Sequence, residues 1–210
     1  MSNEKIHSFW RFASVATFGW LRTRVTTMEK VIYLTFDDGP HPEYTPALLD
    51  LLSEHGVRAS FFLVGSECLK HSSVVRRILE EGHRIGNHTT THPQMRQLSA
   101  FSQWREYSSA DKILSDVVAQ SSPRFAVRPP SGKMTVTSVM FSACRFRRLV
   151  LWSRDSLDCQ LSSIDVCLKF QKLPLQNGDV VLFHDDSLVC IEALRVLLPE
   201  WQRNGFRFIA

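Results

Sequence analysis

The sequence predicts an α/β fold of the (β/α)-barrel kind, complete or short of a strand. From residue 31 onward, short β-branched or aromatic runs alternate with longer stretches of helical spacing. That alternation implies right-handed crossovers joining parallel strands buried on both faces. No Gly-rich phosphate loop follows the first of the seven runs, which disfavours a nucleotide-binding open sheet. The residues able to do chemistry also fall at the C-terminal ends of the runs, the rim where barrels place their active sites.

The elements follow in order. VIYLTF (31–36) is apolar throughout and ends against Asp37, Asp38 and the turn residues Gly39 and Pro40. TPALLDLLSEHG (45–56) has Thr45 as N-cap, Pro46 at the first helical position and Gly56 as stop. RASFFLVG (58–65) is the second strand, and SSVVRRILEEG (72–82) is a helix capped by Ser72 or Ser73 and ended by Gly82. HRIGNH (83–88), RFAVRPP (124–130), RLVLWSRD (148–155), DVVLFHD (179–185) and FRFIA (206–210) read as the remaining strands. Helical patterns over 100–119, 135–143, 163–173 and 189–204 separate them. No repeat, low-complexity tract or linker follows residue 30, so 31–210 is expected to be one domain behind an N-terminal extension, 1–30.

The chain has 210 residues, of which 44% are apolar, enough for a sizeable core. Its net charge of +4 comes from scattered Lys and Arg with no nucleic-acid signature, so no nucleic-acid partner is expected. Five cysteines, an odd number without a CxxC pair, read as reduced thiols. FASVATFGWL (12–21) lies between Arg11 and Arg22, is too short to span a bilayer and lacks a small-residue cleavage site. It is expected to form an accessory helix. A monomer in the cytoplasm is the expected state, with export the alternative.

GNHTTTHP places His88 and His92 four residues apart, and Pro93 favours a turn there over a helix. HxxxH alone is a weak signal, and DDGP alone reads as a plain turn. Together, two His and one strand-end carboxylate make a three-ligand site with open coordination positions, which is the catalytic type. One aspartate of the pair can coordinate while its neighbour, turned the other way, stays free as a general base. Two His and a carboxylate also suit non-haem iron and oxygen chemistry. That reading predicts a jelly roll of strands, against the strand–helix alternation.

TFDDGP (35–40), HTTTH (88–92), RPPSG (128–132), DSLD (155–158) and LFHD (182–185) resemble, in order, the five motifs of the polysaccharide deacetylases, carbohydrate esterase family 4 or the NodB-homology domain. The resemblance covers 31–210. It implies a distorted (β/α)7 barrel, one divalent metal that is usually zinc, and hydrolysis of N-acetyl groups on N-acetylglucosamine-containing oligo- or polysaccharides such as chitin oligosaccharide or peptidoglycan. By the same resemblance Asp38, His88 and His92 bind the metal and Asp37 is the base that takes the proton of the attacking water. Arg128 pairs with Asp37 and tunes it, a backbone N–H near Ser131 holds the oxyanion, and His184, oriented by Asp155, is the acid that protonates the leaving amine.

Two positions depart from the family pattern. The aromatic that usually precedes the glycine of the third motif is Ser131 here, and the Trp that usually follows the last aspartate of the fourth is Cys159. Both changes remove aromatic surface, from the sugar groove and from behind the acid respectively. Trp152, expected inside a strand, is not an evident replacement, whereas Trp104 and Tyr107 are candidates for groove aromatics, with helix packing an equal explanation. A carbohydrate-binding or regulatory protein with weakened catalysis is the alternative expectation.

Overall fold

The computed structural model describes residues 21–119 and 125–210. Nine short strands form one all-parallel sheet: β1 (Leu21–Arg22), β2 (Val31–Asp37), β3 (Ser60–Leu63), β4 (Arg84–Asn87), β5 (Ala126–Val127), β6 (Leu149–Val150), β7 (Arg154–Asp155), β8 (Val180–His184) and β9 (Arg207–Phe208). Their order is β1-β6-β5-β4-β3-β2-β8-β7, with β9 added on β2, so the sheet curls without closing into the distorted (β/α)7 barrel. Among the described residues seven helices cross between strands: α1 (Tyr44–Glu54), α2 (Gly65–Lys70), α3 (Ser72–Glu80), α4 (Ala100–Val117), α5 (Val136–Cys144), α6 (Ser163–Lys172) and α7 (Leu188–Arg203).

β2 lies between β3 and β8. Ile32, Leu34 and Phe36 on it are fully buried, and Phe36 stacks on Phe61 of β3 with ring centroids 4.9 Å apart. Register then levels the strand ends. Asp37 lies opposite both Phe62 and His184, Leu63 lies opposite Asn87, and Asn87 opposite Val127. The residues immediately beyond those ends therefore meet at one rim.

Three expectations are corrected. RLVLWSRD does not run as one strand, because it breaks after Val150 and resumes at Arg154, with Trp152 in the gap. Leu21–Arg22, expected within the N-terminal extension, instead pairs with Leu149–Val150 at the sheet edge. α2 was not expected, since GSECLK is too short to show a helical period. The rest of the expected helix over 12–21 lies outside the described residues.

The opposite rim is held by a buried charge. Asp179, fully buried at the start of β8, accepts hydrogen bonds from Arg24 Nε (2.9 Å), Arg154 Nε (3.0 Å), Ser153 Oγ (2.7 Å) and Gln176 N (2.8 Å). Beside it Gly178 has φ of 76°, and a Cβ there would lie 1.7 Å from the Val25 carbonyl oxygen. The close approach lets Val25 N donate to Gly178 O at 2.8 Å and docks the chain leading into β2. Asp179→Ala strips two guanidinium groups of their shared partner, and loss of one partner of a buried ion pair costs about 3 kcal/mol or more. Urea unfolding should show that loss as a lower midpoint with an unchanged slope.

Candidate metal and acid–base site

The site starts where β2 stops. Asp37 is the last residue of the strand, 3% exposed, and Asp38 follows with φ of 77°, a left-handed conformation that aspartate tolerates better than most residues. That reversal parts the two carboxylates. Gly39 is needed next because a Cβ would lie 2.1 Å from Asp185 Oδ2. Asp185, the residue after β8, accepts from Gly39 N at 2.9 Å and from Thr45 Oγ1 at 2.6 Å, pinning the turn to the neighbouring strand. Burial pushes the Asp185 carboxyl up to about 7, although both of those bonds oppose it.

Asp37 Oδ1 accepts from Arg128 Nη1 at 2.6 Å. Arg128 is fully buried, and its other donors reach Thr35 Oγ1 (3.0 Å), Val150 O (3.1 Å) and Leu151 O (3.1 Å). Its guanidinium lies 4.0 Å from the centre of the Phe62 ring. The Arg128 carbonyl meets His88 Nδ1 at 2.8 Å. A carbonyl only accepts, so Nδ1 carries a proton and Nε2 faces the aspartates, free to act as a ligand when the ring is neutral.

Asp38 Oδ1 lies 3.4 Å from His88 Nε2 and 3.3 Å from His92 Nε2, and the three ligand atoms lie within 4.8 Å of one another. Oδ1 is itself buried with no hydrogen-bond donor. Burial works against the charge of Asp38, but the neighbouring His88, His92 and His184 rings, when protonated, outweigh it and hold its carboxyl at about 2. An orphaned, ionised oxygen between two imidazole nitrogens, one presented by a hydrogen-bonded ring, fits a divalent cation with His and carboxylate ligands. Zinc and other divalent ions accept this same donor set.

On the other side of Asp37, His184 ends β8. Its Nδ1 meets Asp158 Oδ1 at 2.8 Å, and its backbone N donates to Asp158 Oδ2 at 2.9 Å. The expected Asp155–His184 pair is therefore corrected to Asp158–His184. Asp155 closes β7 but spends Oδ1 on Leu157 N at 2.9 Å, folding the chain back so that Asp158, 3% exposed, reaches the histidine. Ser156 Oγ also donates to Asp158 Oδ1 at 2.7 Å. Burial disfavours charge on His184, but the Asp158 bond and charge, with Asp37 and Asp38 behind, raise it to about 9.

Ser131 is exposed on a 3₁₀ turn, Pro130–Gly132, with φ of 53°. A Cβ on the following Gly132 would meet the Trp152 ring at 2.6 Å, and that ring also lies 5.6 Å from the Arg128 guanidinium. Trp152 thus packs against the third motif from the gap between β6 and β7. Tyr107 and Trp104 are accounted for by helix packing. Tyr107 is fully buried and stacked on Phe141, and Trp104 packs edge-on against the same ring.

A family model described as polysaccharide deacetylase matches residues 24–143. The chain belongs to the polysaccharide deacetylase family. Among its relatives, a peptidoglycan-N-acetylglucosamine deacetylase of Bacillus cereus is 32% identical over 198 residues, covering 91% of each chain. A chitooligosaccharide deacetylase of Bradyrhizobium sp. is 33% identical, covering 83% of this chain and 86% of its own. The crystal structure of a peptidoglycan N-acetylglucosamine deacetylase with a naphthalenyl N-oxidanyl-benzamide superposes with a TM-score of 0.86 at 29% identity, covering 94% of this chain and 93% of that one. For this polysaccharide deacetylase chain, no helix among the described residues is long and apolar enough to cross a membrane.

The two aspartates of the fourth motif are separable by NMR. Titration of the His184 imidazole should give a pKa near 9 in the parent chain. It should fall toward the ordinary 6.5 in Asp158→Asn and hold its value in Asp155→Asn.

Proposed function

We propose that this polysaccharide deacetylase removes the acetyl group from N-acetylglucosamine units of an oligo- or polysaccharide, using one divalent metal, zinc by preference, at Asp38, His88 and His92. The observation that supports this most directly is the donorless Asp38 Oδ1 between two imidazole nitrogens, one residue from a carboxylate held by a buried arginine. The Bacillus and Bradyrhizobium relatives are named for peptidoglycan N-acetylglucosamine and for chitooligosaccharides. Their common unit is the substrate proposed here. Five unpaired cysteines suit a reducing compartment, which favours the cytoplasm.

When bound, the cation lowers the pKa of a water to about 7 and polarises the acetyl carbonyl. The remaining steps belong to the chain. Arg128 ties down Asp37 Oδ1, leaving Oδ2, which lies 3.6 Å from His88 Nε2, to take the proton from the attacking water. The Pro130–Gly132 turn, exposed at Ser131, offers the Ser131 backbone N–H to the negative charge that develops on the carbonyl oxygen. As the C–N bond breaks, the sugar nitrogen takes its proton from His184, which Asp158 keeps charged and oriented. Acetate and the free amino sugar are the products. Asp155 enters through the shape of the loop before Asp158 and not through contact with the acid.

Purified protein should release acetate from N-acetylchitooligosaccharides or peptidoglycan, and a chelator should stop it. Asp38→Asn should lose bound metal. Asp37→Asn should retain the metal and lose turnover by about 10²–10⁴-fold, the range of general-base catalysis. Metal bound at full stoichiometry, with no acetate from any acylated sugar, would overturn the enzyme reading. Because His184 must be protonated to act, kcat should decline as pH rises through about 9. In Asp158→Asn that decline should move to lower pH.

A further inference from the structure

The segment between His88 and His92 is shaped by side chains and not by a ladder of its own. Thr89 (φ 70°) and His92 (φ 51°) are both in left-handed backbone, which costs non-glycine residues of order 1–3 kcal/mol each unless the surroundings impose it. Thr89 N donates to Asn87 Oδ1 at 2.8 Å, and His92 N donates to Thr89 Oγ1 at 3.2 Å. The two intervening amides, Thr90 N and Thr91 N, both donate to one oxygen of Glu106, Oε2, at 3.0 and 2.9 Å. Thr91 Oγ1 donates to Glu106 Oε1 at 3.2 Å, and Thr90 Oγ1 to the Glu106 carbonyl at 2.8 Å. Among the described residues, every hydrogen bond the Glu106 carboxylate accepts comes from this loop.

The loop is gripped from two sides. Its carbonyls at Thr89 and Thr90 accept from Gly65 N and Ser66 N at the start of α2, at 2.9 and 2.8 Å. Its amides face α4, and α4 is a firm anchor because the next residue, Tyr107, is fully buried against Phe141. Asn87 fastens to the same stretch of α4, donating to Tyr107 O at 2.8 Å and to Asp111 Oδ1 at 2.7 Å. Of these restraints only the Glu106 carboxylate acts directly on Thr91, the residue before His92.

We propose that Glu106 is a positioning residue for the divalent metal: its carboxylate clamps Thr90 and Thr91 so that His92 Nε2 stands at bonding range of the cation shared with Asp38 and His88. The proposal rests on the metal reading of that site. Glutamine keeps one oxygen able to accept from both amides, and its NH₂ can donate to Thr91 Oγ1. Alanine keeps neither, and aspartate is one methylene short.

The test is zinc affinity by chelator competition, with the visible absorption of the Co²⁺-loaded protein, for parent, Glu106→Gln, Glu106→Ala and Glu106→Asp. Alanine and aspartate should weaken zinc by about 10–100-fold, the usual effect of losing a partner that orients a ligand. Both should change the Co²⁺ spectrum, and glutamine should restore affinity and spectrum. Parent affinity and spectrum in folded Glu106→Ala would overturn the clamp; if that variant does not fold, the same result in Glu106→Asp would do so. A parent chain that binds neither ion would overturn the metal reading itself, a separate outcome.

Discussion

A guanidinium with no access to water must have every donor answered, and Arg128 imposes that demand on the centre of the barrel. Its donors are met by Asp37 and Thr35 on β2 and by the carbonyls of Val150 and Leu151 around the end of β6, while Phe62 of β3 covers one face. Its own carbonyl sets the orientation of His88. One buried cation thus fixes where the strand-end aspartate points and which nitrogen its neighbouring histidine offers. Removing it would leave a buried carboxylate unpaired, a penalty of several kcal/mol. For that reason the charge at the site and the packing of the barrel cannot be varied independently.

The two rims of the sheet divide the work. At the N-terminal rim Asp179 gathers Arg24, Arg154 and Ser153, and the cost of burying its charge is offset by five hydrogen bonds. At the C-terminal rim the polar groups are only partly satisfied. Asp38 Oδ1 has no donor, and Asp37 keeps one oxygen clear of its arginine. Rigid order below and unmet valence above is what a barrel needs to present reactive groups in fixed places.

Much of this was legible from residue order. Each long helix and central strand has a clear period, and the structure differs by only a few residues at the ends of β2, β3, β4, β8, α1, α3 and α7, although the expected caps Thr45, Ser72 and Ser73 lie inside their helices, which start at Tyr44 and Ser72 without a side-chain cap. The level of the strand ends followed from parallel pairing, so the gathering of Asp37, Asp38, His88 and His184 could be anticipated. Other features had no local signal. RLVLWSRD has β-type composition throughout, and only the docking of Trp152 against Gly132 explains its interruption. Leu21–Arg22 is strand solely because an edge was open beside β6. In DSLD both aspartates are three residues apart in a polar turn. Which one meets His184 depends on Asp155 accepting from Leu157 N, a bond between residues two apart that composition does not announce. The one hint was Ser156, a small residue that could be enclosed beside Asp158.

The bond between Gly39 and Asp185 joins positions 146 residues apart in the chain. The turn that parts the two aspartates is therefore not a local device that a growing or refolding chain can complete early. β2 and its helix can form from nearby residues, and Val64 N can reach Gly39 O once β3 pairs, but the turn acquires its bonds to Asp185 only when β8 docks beside β2, after nearly all the intervening crossovers. Closing so long a loop is slow compared with forming a helix. The reactive geometry is consequently a late product of folding. Partly folded chains would expose aspartates and histidines without holding them at metal-binding distance.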